Sequence, residues 1–184
     1  MVVDEAFLPL VPAGEEQSLI PLLAEYPNLV VVRSLTKMFA VAGLRLGYAL
    51  AHPALIEQWQ SWRDPWPVNG LAAAVAAPLL ADWRWQERVR CWVRQQGRWL
   101  TQELEQLEGI QPMPSAANYV LIRGAHELES LRERIERKHF ILLRTATSFE
   151  GLDEHWLRLG LSDRIGNRRL LATMKEELFK VSGA

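Results

Sequence analysis

The sequence is poor in the features that mark several classes of protein. It has one cysteine, Cys91, so it cannot form an internal disulfide, and this suits the reducing cytoplasm. Basic and acidic residues number 21 and 22, and no basic stripe is present, which disfavours a nucleic-acid partner. No apolar run approaches the ~18 residues that a membrane span needs. We therefore expect a cytoplasmic protein without a membrane segment.

The sequence also lacks the usual signatures of nucleotide and metal sites. It contains neither a Walker-type loop nor a GxGxxG turn. Its four histidines show no metal-ligand spacing, so no metal site is expected. With 49% apolar and 23% charged residues, the composition is that of an ordinary globular protein.

Strand and helix patterns alternate in the first part of the chain. Residues 2–7 read as a short buried strand, "EEQSLIPLLAEY" as a helix, "PNLVVVRS" as a second strand and "RLGYALA" as a third. The order strand, helix, strand is the βαβ pattern of a parallel sheet. We therefore predict an α/β fold whose sheet is mainly parallel.

A largely helical stretch separates this part from a second one. "PALIEQWQSWRD" predicts a helix, and residues 69–107 are helical in pattern, with a break or kink at Pro78. The later segments "NYVLIRG", "ELESLRERIERKH", "FILLRT", "HWLRLGLS" and "RIGNRRLLATMKEELFK" alternate strand and helix and predict a small α+β domain. The domain junction is expected in the long helix, which gives domains 1–82 and 83–184.

The first residues of the chain have the pattern of a central strand of a sheet. "MVVDEAF" begins inside a buried strand, and such a strand needs neighbours on both sides. We therefore expect this chain to be the later part of a longer protein. On this interpretation residues 1–82 are part of a large domain, and the 184 residues alone are incomplete as an enzyme.

Polar residues follow the first two predicted strands. Asp4 ends the first, and Ser34 and Lys37 follow the second. Ligands of open α/β sheets bind beyond the carboxyl ends of the strands, so these side chains should converge at one edge. An ordinary ion pair between Asp4 and Lys37 is the structural alternative.

Arginine and glycine extend this set. Ser34 and Arg45 flank Lys37, and a hydroxyl with a guanidinium is a phosphate-binding pair. Gly43 and Gly47 would let the backbone pass close to a bound group. An amine, a carboxylate and a phosphate-binding pair match pyridoxal 5′-phosphate (PLP) chemistry. In that chemistry lysine forms a Schiff base and aspartate keeps the ring nitrogen protonated.

These residues lie in segments that resemble a known family. "VDEAF", "SLTKMFAVAGLRLGY", "SAANYVLI" and "WLRLGLS" resemble the fold-type-I, PLP-dependent class I/II aminotransferases, and the likeness covers essentially all of the chain. The most similar branch contains histidinol-phosphate aminotransferases and threonine-phosphate decarboxylases. The pattern S-x-x-K-x-x-x-x-x-G-x-R-x-G is the most specific part and is met at Ser34, Lys37, Gly43, Arg45 and Gly47.

The resemblance implies a role for each matching residue. Lys37 would be the Schiff-base lysine, Asp4 would pair with the ring nitrogen, and Ser34 and Arg45 would hold the cofactor phosphate. Arg158 would bind the substrate α-carboxylate.

Two more residues carry both a functional and a structural interpretation. Asn118 would line the site, or would make an ordinary hydrogen bond at a strand edge. Arg144 would bind a substrate phosphate, because its segment resembles that of the threonine-phosphate decarboxylases. Alternatively, it would cap a strand end at the surface.

Two departures from the family pattern bear on the reaction. Family aminotransferases carry tyrosine three residues after the aspartate, where this chain has Phe7, and the missing donor is compatible with the decarboxylase branch. Family members also have an N-terminal half that carries a phosphate-binding turn and an aromatic residue stacked on the cofactor ring. This half has no counterpart in these residues.

The resemblance implies a homodimeric, PLP-dependent enzyme that acts on a phosphorylated amino compound. A threonine-phosphate decarboxylase, as used in making the cobalamin side chain, is the first expectation. The alternatives are transamination of the histidinol-phosphate type, and a regulatory module or inactive fragment that keeps the PLP fold without catalysis.

Overall fold

The computed structural model describes the backbone of residues 1–182 and the side chains of residues 1–178. The chain divides into two compact units, Met1–Cys91 and a second unit from Trp92 onward. The division between the two units falls inside a long helix. Each unit has a sheet of its own.

The first unit is built on a three-stranded sheet. Its strands are β1 (Val2–Asp4), β2 (Val30–Ser34) and β3 (Gly47–Ala51), in the spatial order β1-β2-β3. β1 and β2 run parallel, as the βαβ pattern predicts, and β3 runs antiparallel to β2. Val30 and Val31 are buried at the centre of this sheet. The sheet is mixed because the short connection after β2 turns the chain straight back.

The crossover from β1 to β2 differs from the expected helix. "EEQSLIPLLAEY" forms two short 3-10 turns, Gly14–Gln17 and Ile20–Ala24, and the prediction of a continuous helix was wrong. Ser18 separates the turns and accepts a hydrogen bond from the Ile20 amide at 3.2 Å. Pro21 lacks the N–H that a helix interior requires. Apolar periodicity alone could not reveal this break.

Four helices follow or separate the strands of the first unit. They are α1 (Leu35–Phe39), α2 (Pro53–Trp62), α3 (Gly70–Ala81) and the long α4 (Trp83–Leu104), which continues into the second unit. Pro78 lies inside α3, and the chain breaks at Asp82, whose Oδ1 accepts from the Trp85 amide at 2.9 Å. Within the described part of the chain, no helix combines the length and the apolarity needed to cross a membrane.

The second unit has a four-stranded antiparallel sheet with the order β4-β5-β7-β6. Its strands are β4 (Ile110–Pro112), β5 (Tyr119–Gly124), β6 (Arg144–Thr145) and β7 (Trp156–Gly160), and its helices are α5 (Glu129–His139) and α6 (Arg164–Ser182). The sequence predicts β5 and β7, whereas β4 was missed. β6 is shorter than "FILLRT", and Phe140, with a left-handed φ of 54°, instead ends α5.

One face of this sheet forms the core of the second unit. Alternate residues of β5 and β7 are almost completely buried and pack with residues of α4, α5 and α6: Val120, Ile122, Leu157, Leu159, Leu100, Leu104, Ile135 and Met174. Because side chains alternate along a strand, the residues between them point to the opposite face. That face carries Arg158 of β7 and its strand partner Arg144 of β6.

Gly47 is required where β2 and β3 pair. A Cβ added to Gly47 would lie 2.7 Å from the carbonyl oxygen of Arg33, and backbone atoms cannot give way cheaply. We predict that Gly47→Ala lowers the free energy of unfolding by ~1–3 kcal/mol. Gly43→Ala is the matched control, because a Cβ at Gly43 meets nothing within 4 Å. Denaturant unfolding of both variants checks this, and equal stabilities would contradict it.

Candidate functional site

Three strand ends bring the predicted cofactor residues to one edge of the first sheet. Asp4 is the last residue of β1 and Ser34 the last of β2, while Gly47, the first residue of β3, pairs with Ser34. Arg45 lies two residues before that start. Since β1 and β2 are parallel and β3 is antiparallel, all these ends lie at the same edge. We call Asp4, Ser34, Lys37 and Arg45 the lysine cluster.

Lys37 lies in α1, which starts directly after β2. The Ser34 hydroxyl caps this helix and accepts from the Thr36 amide at 3.2 Å. Lys37 is half-buried, and its Nζ lies 5.4 Å from the centroid of the Phe7 ring. Phe7 follows β1, so this contact links Lys37 to the segment that carries Asp4.

Asp4 and Lys37 do not neutralise each other. Asp4 is exposed, and its Oδ1 accepts from the Ala6 amide at 2.8 Å. Among the residues whose side chains are described, neither Asp4 nor Lys37 takes part in an ion pair, which excludes the ion-pair alternative. A carboxylate and an amine therefore remain available to a ligand at this edge.

Arg45 has an unusual backbone conformation. Its φ of 50° and ψ of 51° are left-handed, which costs an L-residue about 1–2 kcal/mol. The guanidinium is exposed and donates to the Ala42 carbonyl at 3.1 Å. Strain of this kind concentrates at functional sites, where the surrounding structure maintains it. Here Leu46 is buried directly after Arg45, and the chain then enters β3.

A group of polar and charged residues around the buried Arg33 lies immediately behind the lysine cluster. Arg33 donates from Nε to Glu5 at 2.8 Å and from NH1 and NH2 to the two Glu15 oxygens at 2.9 and 3.1 Å. Its NH2 also contacts Ser18 Oγ at 3.0 Å, and Ser18 donates to Glu5 at 2.9 Å. We call Glu5, Glu15, Ser18 and Arg33 the buried arginine cluster.

The charges in this cluster shift the pKa values of two groups. Burial lowers the pKa of Arg33, but hydrogen bonds and charges from Glu15 and Glu5 outweigh burial and raise it above its usual value. Burial raises the pKa of Tyr48, which pairs with Arg33 across β2 and β3; Arg33 opposes this rise, and the two glutamates add to it. Arg33 therefore stays charged and Tyr48 neutral near neutral pH.

Two arginines lie directly opposite each other in the sheet of the second unit. Arg144 of β6 and Arg158 of β7 are partners in the antiparallel register, so they share one face. Arg158 stacks on the Tyr119 ring at 4.0 Å, and Arg144 lies 5.8 Å from the centroid of Phe149. Arg144 has no carboxylate partner among the described residues. We call Arg144 and Arg158 the arginine pair.

The strand geometry does not place Asn118 on the same face as the arginine pair. It directly precedes β5, and its carbonyl accepts from the Leu161 amide at 2.9 Å. Along the strand, Tyr119 lies on the face of Arg158, and the alternation assigns Asn118 to the other face. A role for its side chain in substrate binding stays a prediction.

The matched span of a known family model covers most of both units. The aminotransferase class I and II family model matches residues 1–173. The chain belongs to the aminotransferase class I and II family. The sequence resemblance to this family is thereby confirmed.

Two curated family members and one solved structure are similar to this chain. A threonine-phosphate decarboxylase of Salmonella typhimurium is 35% identical over 185 residues, covering 100% of this chain and 50% of that protein. A histidinol-phosphate aminotransferase of Gluconacetobacter diazotrophicus is 39% identical over 168 residues, covering 86% and 44%. The histidinol-phosphate aminotransferase structure from Clostridium acetobutylicum superposes with a TM-score of 0.87 at 27% identity, covering 95% and 53%.

The chain spans about half the length of the curated relatives that it matches. The lysine cluster lies in the first unit of this aminotransferase-family chain and the arginine pair in the second. Sequence analysis missed the buried arginine cluster, although an arginine inside the apolar run "VVVRS" was a usable signal. Sequence analysis also missed the contact between Tyr119 and Arg158. The two residues are far apart in the sequence, and only the pairing of β5 with β7 brings them together.

Arg45 allows binding and strain to be separated by two substitutions. Arg45→Gly and Arg45→Ala should both weaken PLP binding, by roughly ten- to a hundredfold for a lost charge-assisted contact of ~1.5–3 kcal/mol. Arg45→Gly alone removes the left-handed strain, so it should be about 0.5–1 kcal/mol more stable than Arg45→Ala. Cofactor titration and denaturant unfolding of the full-length native protein check both points. If Arg45→Gly is no more stable than Arg45→Ala, the left-handed conformation at this position is not strained.

Proposed function

We propose that the lysine cluster holds PLP and that the protein carrying this chain is a PLP-dependent enzyme acting on a phosphorylated amino compound. Decarboxylation of the threonine-phosphate type is the preferred reaction. The observation that carries the proposal is the convergence of an amine, a carboxylate, a hydroxyl and a guanidinium at one sheet edge. Among the described side chains, neither the amine nor the carboxylate forms an ion pair.

The residues at this edge fit the cofactor by their chemistry. Lys37 supplies the amine that attaches to the aldehyde group, and Asp4 supplies a carboxylate for the ring nitrogen. Ser34 and Arg45 supply a hydroxyl and a guanidinium for the phosphate. When bound, PLP supplies an electron sink for negative charge at the substrate α-carbon. The Lys37 amine would be the group that carries a proton to or from that carbon.

The arginine pair suits a substrate with two anionic groups. Two guanidiniums directly opposite each other repel, and this unfavourable pairing is relieved when anions lie between or beside them. Arg158, held against Tyr119, takes the α-carboxylate, and Arg144 takes a distal phosphate. The pair therefore supports a phosphorylated amino acid over a simple amine.

Two observations favour decarboxylation as the first candidate. Phe7 offers no hydroxyl beside Lys37, where family aminotransferases carry tyrosine. The Salmonella relative, matched over the whole of this chain, is named a threonine-phosphate decarboxylase. Transamination of the histidinol-phosphate type is the second candidate, supported by the Gluconacetobacter relative at 39% identity. We further infer a homodimer from the family resemblance, and a cytoplasmic location, which suits a chain with one cysteine.

The cofactor assignment predicts a covalent label on one lysine. Borohydride treatment of the full-length native protein loaded with PLP should fix the cofactor to the peptide that contains Lys37, as read by mass spectrometry. Lys37→Ala should abolish the label while phosphate contacts keep a weaker affinity for PLP. Lys175, an exposed lysine of α6, provides the control, because Lys175→Ala should leave the label unchanged. Label on a different lysine, or none, refutes the assignment.

The substrate assignment predicts different losses for the two arginines. Arg144→Ala should lower kcat/KM roughly ten- to a hundredfold with a phosphorylated substrate and much less with its dephosphorylated analogue, because only the former offers the partner. Arg158→Ala should impair both substrates alike, since both carry the α-carboxylate. Steady-state kinetics with the two substrates makes the comparison. Equal losses for Arg144→Ala on both would show that Arg144 supports the fold instead of binding phosphate.

A further inference from the structure

Two pairs of adjacent residues connect the lysine cluster to the charges buried behind it. Asp4 and Glu5 are consecutive at the end of β1, and Arg33 and Ser34 are consecutive at the end of β2. Asp4 pairs with Val32, which lies two residues before Ser34, so Asp4 and Ser34 point to the same face. Glu5 and Arg33 consequently point to the other face, where they meet.

The contact between Glu5 and Arg33 lies directly beyond the last paired residues of β1 and β2. The Glu5 amide donates to the Val32 carbonyl at 2.9 Å, one residue beyond Asp4. The Glu5 side chain then binds Arg33, and its Oε1 accepts from the Leu19 amide at 2.8 Å. Both side chains are almost completely buried, so neither can exchange its partners for water without a large cost.

Glu15 and Ser18 hold Arg33 from the side away from the strands. Glu15 binds the guanidinium through both oxygens, and such bidentate contacts define the orientation of an arginine as well as its position. Ser18 bridges Arg33 and Glu5. Through these contacts, the crossover between β1 and β2 holds the ends of the two strands together.

We propose that the buried arginine cluster is the positioning device of the cofactor site: it sets the relative place of Asp4 and Ser34, and through Ser34 that of Lys37. This inference rests on the proposed function, since it concerns the residues that hold PLP. Glu5, Glu15, Ser18 and Arg33 are positioning residues and do not touch the cofactor.

Glu15 is the best point at which to test the cluster. It lies on the 3-10 turn Gly14–Gln17 and is half exposed, so Glu15→Ala loosens Arg33 without opening a cavity in the core. Glu16 is the matched control, because it is the next residue of the same turn and is exposed. Its side chain forms no hydrogen bond or ion pair among the described residues.

The first measurement is a double-mutant cycle on PLP affinity in the full-length native protein. Glu15→Ala should weaken PLP binding about fivefold, and less than twofold when Ser34→Ala is already present, because coupled residues give non-additive losses. Glu16→Ala should change neither value. A purely structural role for Glu15 predicts equal losses in both backgrounds. Equal losses, or no loss at all, would overturn the proposal.

The second measurement needs no cofactor. Glu15→Ala, and Ser18→Ala as a second variant, should speed hydrogen exchange at the Glu5 amide roughly tenfold, while amides of α5 exchange as before. Unchanged exchange at Glu5 in both variants would overturn the positioning role. If the unaltered protein failed to bind PLP, the proposed function would fall instead. The two failures are therefore distinguishable.

Discussion

The buried ion pair between Glu5 and Arg33 is the constraint on which the first unit depends. Two charges of opposite sign, almost fully removed from water, must stay paired, because either one alone would be strongly unfavourable in that environment. This requirement joins the ends of β1 and β2 and recruits Glu15 and Ser18 from the crossover. Because neighbouring residues of a strand face opposite ways, the same pairing presents Asp4 and Ser34 together on the other side.

The second unit depends on a different relation between charges. Its core needs only the apolar residues that alternate along β5 and β7. The opposite face carries Arg144 and Arg158 directly across from each other, an arrangement that sheets avoid unless something offsets it. Aromatic rings at Tyr119 and Phe149 supply part of that offset. The proposed substrate anions would offset the repulsion further.

The interpretation of the glycines illustrates how far sequence reasoning reached. Gly43 and Gly47 were expected to let the backbone pass close to a bound group, and this stays a prediction. The structure adds a second reason for Gly47, because a Cβ there would lie 2.7 Å from the Arg33 carbonyl oxygen. The sequence could not indicate this reason, because a close backbone approach between strands is a long-range contact. The same limit explains the missed β4 and the 3-10 turns between β1 and β2.

The sequence by itself determined the strands with strong alternation or apolar runs, the lysine cluster, the aminotransferase resemblance and the arginines of the small domain. These depend on local order along the chain, where residue type and spacing carry the signal. Only the tertiary structure decided that Asp4 and Lys37 form no ion pair with each other, that Arg45 is left-handed, that Arg144 lies opposite Arg158, and that Glu5 meets Arg33. Each of these facts depends on strand register or on a bond between distant segments, and a register is chosen by the packing of the whole sheet.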